Sequence, residues 1–291
     1  MRLISSPLRY PGGKAKAVAF LAQFFPDFKE LREPMCGGAS ITLYWAQVKP
    51  KAKYIISDIN YDLYCFWKEL KHSPEKLIKE IYAIKKAYKD GKKLFAMLME
   101  RRNEDKDDFT RAVEFFVLNR ITFSGTVDCG GYSEEAFRKR FTDSAIEKLW
   151  AVSKILSRIE VAYGDYEEFM LREGEDVLIF LDPPYYTSKN SRLYGKRGDL
   201  HTDFDHIRLS QIVKQTKHKV LITYDNSPYI RSLYSGFYVL SWKLKYGMTN
   251  YRKTYLREGD ELLIANFPLD KAIDKLKKQP SLFQRVVSYS L

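Results

Sequence analysis

The 291-residue sequence predicts an α/β fold with a doubly wound, mostly parallel sheet and a helical insertion. Short apolar runs of strand length alternate along the chain with segments of helical periodicity, as in other proteins with such sheets. The strongest run, Val177–Leu181, is apolar at every position, as expected of a strand buried on both faces. Turns rich in Gly, Pro and Asp adjoin these strands, and doubly wound sheets bind ligands beyond the carboxyl ends of their strands.

The first α/β segment ends near residue 60. A helix is predicted over residues 14–25, and a second begins near Ala39. Strands are predicted at residues 31–34 and 53–57, the second ending at Asp58.

The middle of the chain is helical and highly charged. Residues 60–119 show helical periodicity, whereas residues 122–141 contain three glycines and no periodicity, which predicts a loop or an irregular hairpin. Residues 61–158 are therefore predicted to form a helical subdomain inserted in a sheet domain made of residues 1–60 and 159–291.

The α/β alternation returns in the second half of the chain. A helix is predicted from about Asp205, and the last two strands are predicted to pair as a hairpin across a long loop. The predicted strands of this half are residues 161–163, 177–181, 219–223, 238–240 and 261–265.

Composition favours a soluble, basic, cytoplasmic protein. Lys and Arg number 49 against 37 Asp and Glu, a net charge of +12 that suggests a polyanionic partner. The three cysteines, Cys36, Cys65 and Cys129, form no CxxC pair, so we expect neither a structural zinc site nor any other metal centre. No secretory signal is evident, and no run reaches the ~20 apolar residues of a membrane span.

The sharpest motif is Asp182-Pro183-Pro184-Tyr185, directly after the apolar strand. It places a carboxylate at a strand end, followed by two residues that have fixed φ and no N–H to donate. An Asp oxygen and a proline carbonyl are then two acceptors beside an aromatic ring, which suits a planar amino group. A turn that simply ends the strand is the alternative interpretation.

A second motif runs from Glu33 to Ser40 and contains the pair Gly37-Gly38. A strand, a glycine turn and a helix start bring backbone close to a nucleotide-like ligand, and Asp58 ends the next strand, where it can accept hydrogen bonds from ribose hydroxyls. The alternative is a tight strand–helix turn with a surface aspartate.

Two further turns are less specific. Arg9-Tyr10-Pro11-Gly12-Gly13-Lys14 lacks the G-x-x-x-x-G-K-[ST] pattern, which disfavours a nucleoside triphosphatase. Gly164-Asp165 follows a short strand and can provide either an acceptor for an exocyclic amine or a helix N-cap.

A set of motifs in chain order resembles the Dam-type, alpha-group N6-adenine DNA methyltransferases over nearly the whole chain. The motifs are Arg9-Tyr10-Pro11-Gly12-Gly13-Lys14, Glu33-Pro34-x-x-Gly37-Gly38, Asp58-Ile59-Asn60, Asn119-Arg120 and Asp182-Pro183-Pro184-Tyr185. The resemblance implies a class I methyltransferase fold, S-adenosylmethionine as cofactor and methyl transfer to the adenine amino group of duplex DNA. It makes residues 1–60 and 159–291 the catalytic and cofactor-binding domain, and residues 61–158 the target-recognition subdomain.

The resemblance also implies roles for individual residues. The catalytic loop is Asp182, Pro183, Pro184 and Tyr185, with Asp182 and Pro183 as acceptors and Tyr185 stacking on the target base. Residues expected to bind or border the cofactor are Tyr10, Lys14, Glu33, Pro34, Gly37, Gly38, Asp58, Asp165 and Asp182.

The expected DNA contacts rest on basic residues near the predicted loops, for which a solvated surface charge is the alternative. The basic residues are Arg9, Arg120, Arg138, Arg140, Lys245 and Arg252, and Asn119 beside Arg120 is expected to contact DNA with them. The cofactor loop departs from the family's usual F-x-G-x-G, since Met35 begins it and Ala39 ends it. The stretch after Arg120 lacks the hairpin sequence of the GATC-methylating members, so target specificity does not transfer.

We therefore predict a site-specific adenine-N6 DNA methyltransferase, monomeric or weakly dimeric, with a restriction endonuclease as a possible functional partner. An RNA base-amino methyltransferase and a catalytically silent DNA-binding relative are the alternatives. A nicotinamide oxidoreductase is disfavoured because no G-x-G-x-x-G follows the first strand.

Overall fold

The fold is described from a computed structural model, and the described residues are 3–10, 12–186, 204–245, 258–278 and 286–290. They contain one eight-stranded sheet with the order β3-β2-β1-β4-β5-β7-β6-β8. The strands are β1 (Glu30–Pro34), β2 (Lys53–Asp58), β3 (Ile159–Tyr163), β4 (Val177–Leu181), β5 (Lys219–Asp225), β6 (Tyr238–Lys245), β7 (Glu258–Ala265) and β8 (Val286–Ser290).

The sheet is parallel from β3 through β5 and antiparallel beyond β5. β7 runs antiparallel to both β5 and β6, and β8 is antiparallel to β6. The predicted doubly wound, mostly parallel sheet is confirmed, as is the predicted terminal hairpin. Strand order reverses between β1 and β4, so the cleft between their carboxyl ends is where such sheets bind ligands.

Helices cover both faces of the sheet, and none in the described part of the chain is long and apolar enough to cross a membrane. Twelve α-helices are described: α1 (Val18–Leu21), α2 (Ser40–Val48), α3 (Tyr61–His72), α4 (Pro74–Ala87), α5 (Gly91–Glu100), α6 (Asp108–Ile121), α7 (Glu134–Arg140), α8 (Asp143–Leu156), α9 (Tyr166–Leu171), α10 (His206–Gln215), α11 (Pro228–Leu233) and α12 (Asp270–Lys277).

The side chains of β4 alternate between the two cores, as the pleat of a strand requires. Leu178 and Phe180 join the larger hydrophobic cluster, whereas Ile179 and Leu181 join a second cluster with α9, α10 and α11. The fully apolar sequence of β4 follows from burial on both sides.

The helical block shares its core with the sheet. Leu31 of β1, Leu63 of α3 and Leu94 of α5 belong to the same buried cluster, which also takes in α6 and α8. This continuous packing holds the helices in a fixed position beside the edge where the predicted site lies. The boundaries at residues 61 and 158 stay predictions.

Three element predictions need correction. Residues 14–25 form two 3₁₀ turns around the four-residue α1 rather than one helix, although the apolar periodicity is real and Phe20 and Leu21 are fully buried. Residues 122–141 include α7 after an isolated bridge between Thr122 and Tyr132. The strand β8 was not predicted, although its Val and Tyr residues favour a strand, and it pairs antiparallel with β6.

Candidate active site

Asp182 lies directly beyond the last residue of β4, at the carboxyl edge of the sheet. Both carboxylate oxygens have partners. The Lys14 Nζ atom lies 2.7 Å from Oδ1 and 2.8 Å from Oδ2, and the Thr223 hydroxyl donates to Oδ1 at 2.7 Å. The Lys14 side chain is only 3% exposed and that of Asp182 is 23% exposed, so this ion pair is largely shielded from solvent. The carboxylate is therefore held in one orientation at the mouth of the cleft.

The two tyrosines after the prolines are held by acids from neighbouring strands. The Lys14 Nζ atom lies 5.0 Å from the centroid of the Tyr185 ring, a cation–π distance. Burial, and then the nearby Glu261 carboxylate, raise the pKa of the Tyr185 hydroxyl well above its usual range. The Tyr186 backbone N–H donates to Asp225 Oδ1 at 2.8 Å. Because Asp225 pairs with Glu261 across β5 and β7, both carboxylates face the loop.

Glu261 is a buried acid of this site that sequence reasoning missed. Burial, with smaller contributions from Asp182 and Asp225, raises its pKa to about 7 against the opposing effects of Lys14 and Tyr185. Glu261 stands between the polar Gly259-Asp260 and the apolar run that begins at Leu262, so no local signal distinguishes it from the exposed start of a strand.

The predicted cofactor loop connects β1 to α2 in a tight, partly left-handed conformation. Met35, Gly37 and Ala39 have positive φ angles of 62°, 47° and 48°. Two of these three are not glycine, so the loop stores backbone strain that the surrounding contacts must offset. The Gly37 N–H donates to Asp58 Oδ2 at 3.0 Å, and the Gly37 carbonyl accepts from the Trp67 indole at 3.1 Å.

Tyr10 lies against this loop. A Cβ atom on Gly37 would lie 2.6 Å from Tyr10 Cε1, and one on Gly38 would lie 3.3 Å from Tyr10 Cβ. Gly37 is thus required by the close approach of the ring and by its φ, whereas a side chain at Gly38 would require its neighbours to shift by a few tenths of an ångström. The structure brings Tyr10, Gly37, Gly38 and Asp58 together, as the sequence predicts.

Glu33 and Asp58 are buried acids on either side of the loop. The Thr42 N–H donates to Glu33 Oε2 at 2.8 Å, yet burial raises the pKa of Glu33 to about 7, with a contribution from Asp182. Burial likewise raises the pKa of Asp58, although Asn60 and Gly37 donate backbone hydrogen bonds to it. Pro34 is buried at the end of β1 between them.

Asp165 has partners of its own at the end of β3. It caps α9 by accepting from the Glu167 N–H at 2.9 Å, and both its oxygens pair with the Arg208 guanidinium at 2.9 Å. These bonds, with a further one to Glu167, raise the pKa of Arg208. An exocyclic amine would therefore share this carboxylate with Arg208 or replace it, and Arg208 is a partner that the sequence did not reveal.

Three of the predicted DNA-contacting arginines form a cluster with unbalanced positive charge. Burial, then Arg9 and Arg140, lower the pKa of Arg120 to about 10, and no described residue accepts a hydrogen bond from its Nε. Burial and Arg140 also lower the pKa of Arg9, against a weaker opposing effect of Glu135. The Arg9 guanidinium donates to the Thr122 carbonyl at 3.1 Å.

Asn119 has a different role from the predicted DNA contact. It is fully buried, and its side chain accepts from the Arg9 N–H at 3.0 Å and donates to the carbonyls of Arg9 and Gly125 at 2.8 and 2.9 Å. All its described hydrogen bonds go to backbone, so Asn119 joins the N-terminal segment to the loop after α6. A residue that satisfies backbone groups in this way is not free to contact a base.

The other predicted DNA contacts are peripheral or lie outside the described residues. Arg138 is exposed on α7 and pairs with Glu134. Lys245 ends β6, and nothing is described of its side chain; Arg252 lies outside the described residues. Sequence reasoning also missed Phe123, which is 69% exposed in the turn beside Arg9 and Arg120.

Comparison with known proteins identifies the family of this chain. Its residues 10–248 match the family model of the D12 class N6 adenine-specific DNA methyltransferases. It is 25% identical to type II methyltransferase M.MjaIII of Methanocaldococcus jannaschii over 89% of this chain and 98% of that protein. It is 27% identical to DNA adenine methylase of Vibrio cholerae over 79% of this chain and 84% of that one. The chain therefore belongs to the D12 class of N6 adenine-specific DNA methyltransferases.

Proposed function

We propose that this adenine-N6 DNA methyltransferase uses S-adenosylmethionine and that the Asp182 loop receives the target amino group. The supporting observation is that Asp182, Lys14 and Tyr185 form one cluster at the end of β4, next to the loop held by Asp58. Methyl transfer to an amino nitrogen needs acceptors for its hydrogens and a donor aligned on the opposite side.

The cofactor site suits a cation. Glu33, Asp58 and Asp182 are acids at the carboxyl ends of adjacent parallel strands, and burial raises the pKa values of the first two. A sulfonium ion with an α-ammonium group would balance these charges, and the carboxylate of Asp58 would hold the ribose hydroxyls. When bound, this cofactor supplies an activated methyl group. Tyr10, Lys14, Pro34, Gly37 and Gly38 shape the cleft around it, and Asp165 would take the cofactor's adenine beside Arg208 or in its place.

Asp182 and Pro183 make the target nitrogen more reactive. The amino lone pair of adenine is delocalised into its ring, so the nitrogen is a weak nucleophile. Two acceptors on its hydrogens favour a pyramidal nitrogen and stabilise the positive charge that develops there. Pro184 has no N–H that would compete for these acceptors, and the ring of Tyr185 stacks on the everted base.

The Lys14 ammonium must leave the Asp182 carboxylate before the target amino group can bind there. Its ammonium contacts both Asp182 oxygens and also donates to the Gly12 carbonyl at 2.9 Å, which remains as an acceptor after the exchange. After methyl transfer the nitrogen carries one surplus proton, and the partly exposed Asp182 carboxylate is the acceptor placed to pass it to water.

The arginine cluster of Arg9, Arg120 and Arg140 is the surface that we assign to DNA. Cations that lower each other's pKa values are unfavourable in the free protein, and a phosphate would relieve that repulsion. The exposed ring of Phe123 beside them is placed to stack on a base.

Arg138, Lys245 and Arg252 stay predicted contacts to the DNA backbone. The paired restriction endonuclease and the monomeric state likewise stay predictions.

The test is methyl transfer from labelled S-adenosylmethionine to duplex DNA of mixed sequence, with ribosomal and transfer RNA as parallel substrates. We expect label in N6-methyladenine of DNA alone, and D182A should remove it while S-adenosylmethionine still binds. Asp105 is fully exposed, so D105A is the matched control and should label normally. Label in RNA only, or parental activity of D182A, would contradict the proposal.

A further inference from the structure

We propose that Thr223 is a positioning residue that fixes the Asp182 carboxylate for methyl transfer. Thr223 lies in β5 and is fully buried, and its hydroxyl donates to Asp182 Oδ1 at 2.7 Å. The inference rests on the role proposed above for Asp182, and it assigns a function to a residue whose sequence context is that of an ordinary strand.

The contact follows from the register of the sheet. β4 and β5 are parallel and adjacent, and their last described pair is Leu181 with Ile222. The residues that follow this pair are Asp182 after β4 and Thr223 in β5. The carboxylate and the hydroxyl therefore lie side by side, just beyond the last hydrogen-bonded pair of these two strands. Thr223 is itself held by antiparallel pairing with Leu263 of β7. The donor is thus attached to rigid backbone on both sides, rather than to a loop.

The hydroxyl proton has two acceptors within reach, and the distances identify the preferred one. Thr223 Oγ1 lies 2.7 Å from Asp182 Oδ1 but 3.4 Å from the Leu181 carbonyl, near the limit of a hydrogen bond. A β-branched side chain also has few χ1 rotamers, so the direction of this hydroxyl is well defined. Donation to one oxygen of a carboxylate prevents free rotation about its terminal torsion.

The consequence for the reaction is selective presentation of one oxygen. With Oδ1 held by Thr223, Oδ2 is the oxygen that has only Lys14 as a described partner. When the Lys14 ammonium is displaced, Oδ2 is directed at the incoming amino group, and the carboxylate does not have to rotate into position. Lys14 is exchangeable in this arrangement and Thr223 is not, so the orientation of Asp182 persists when substrate replaces the lysine.

Two substitutions separate the hydroxyl from the rest of the side chain. T223V keeps the shape and removes the donor, whereas T223S keeps the donor and removes the methyl group. Thr216 is the matched control, because its hydroxyl donates to the Met170 carbonyl at 2.7 Å and residues 216–219 lie at the opposite end of β5 from the site. T216V thus removes a hydrogen-bonded hydroxyl of the same kind away from the reaction.

We expect T223V to lower kcat by about tenfold to a hundredfold, as for the loss of one hydrogen bond to a charged group. T223S should stay within about threefold of the parent in kcat, and so should T216V. The dissociation constant of S-adenosylmethionine should change by less than about threefold in T223V. A merely structural role would instead lower cofactor affinity together with kcat.

The unfolding free energies of T223V, D182A and the double variant give a readout independent of activity. T223V should cost less in the D182A background, because the acceptor of its hydroxyl is already absent. Equal costs in both backgrounds, a kcat of T223V within twofold of the parent, or an equal loss in T223S would overturn the inference. If D182A itself methylates normally, the proposed role of Asp182 fails and that of Thr223 with it. If D182A is silent and T223V is fully active, only Thr223 is wrongly assigned.

Discussion

The ion pair of Lys14 and Asp182 can be tested by a stability cycle with K14M, D182N and the double variant. At 2.7 Å and an effective dielectric constant of about 20, the attraction is roughly 6 kcal/mol before desolvation is counted. Asp182 is 23% exposed, so solvent screens part of this, and we expect a coupling energy of about 2 to 4 kcal/mol.

The two single variants should differ. D182N leaves the Lys14 ammonium, whose side chain is 3% exposed, with the Gly12 carbonyl, the Tyr185 ring and a neutral amide oxygen but without the negative charge of its main partner, which should cost about 3 to 5 kcal/mol. K14M leaves a carboxylate that still accepts from Thr223 and reaches water, so its cost should be lower, about 1 to 2 kcal/mol.

Urea unfolding followed by tryptophan fluorescence measures all four proteins, since the chain has four Trp residues. The double variant should be nearly as stable as K14M, because removal of the buried cation cancels most of the cost of D182N. Additive single costs, within about 0.5 kcal/mol, would mean that the two groups do not interact. A larger cost for K14M than for D182N would contradict the assigned burial.

Three further predictions concern buried groups around the site. Burial holds the pKa of Glu261 at about 7, above its unfolded value, so the folded state keeps a proton that the unfolded state releases and stability falls as pH rises from about 4.5 to 7. The stability of E261Q relative to the parent should therefore increase over that range, by about 3 kcal/mol at most, in unfolding measured across pH. N119A leaves the Arg9 N–H and carbonyl without their partner and should cost about 2 to 4 kcal/mol in urea unfolding; a change below 0.5 kcal/mol would contradict its bridging role. R120M relieves repulsion within the arginine cluster, so its melting temperature should equal or exceed the parent's, while the slope of log K for DNA against log salt falls by about 1; an unchanged slope would remove Arg120 from the interface.

The strand ends of this fold could be predicted from sequence because local and global signals agree there. β4 begins and ends where its apolar run does, and the Asp-Pro-Pro that follows has no alternative but to leave the ladder. The loop predicted to bind the cofactor could be located from sequence in the same way, because one intervening helix sets the spacing from Gly37 to Asp58. Their hydrogen bond confirms that the two belong together.

Contacts between distant segments could not be predicted in the same way. Lys14 and Asp182 are 168 residues apart, and nothing in Gly-Gly-Lys specifies a carboxylate partner. Thr223 and Glu261 occupy strands whose sequence signal is hydrophobic, so the sheet order alone brings them to the loop. Asn119 was predicted at the DNA surface together with its neighbour Arg120. Its burial depends on the path of the N-terminal segment, which local sequence does not encode.

Two regions of opposite, unbalanced charge lie next to each other in this protein, and each fits one of its ligands. Glu33 and Asp58 carry raised pKa values where a cationic methyl donor would bind, and Arg120 carries a lowered one where phosphate would bind. Each shift is a cost to the folded state that a ligand of opposite charge removes. Cofactor and DNA should therefore each raise the melting temperature. Arg9 belongs to the arginine cluster and is held by Asn119, whereas the adjacent Tyr10 lies against Gly37 in the loop beside the acidic residues. We therefore expect that binding at one region changes the affinity at the other.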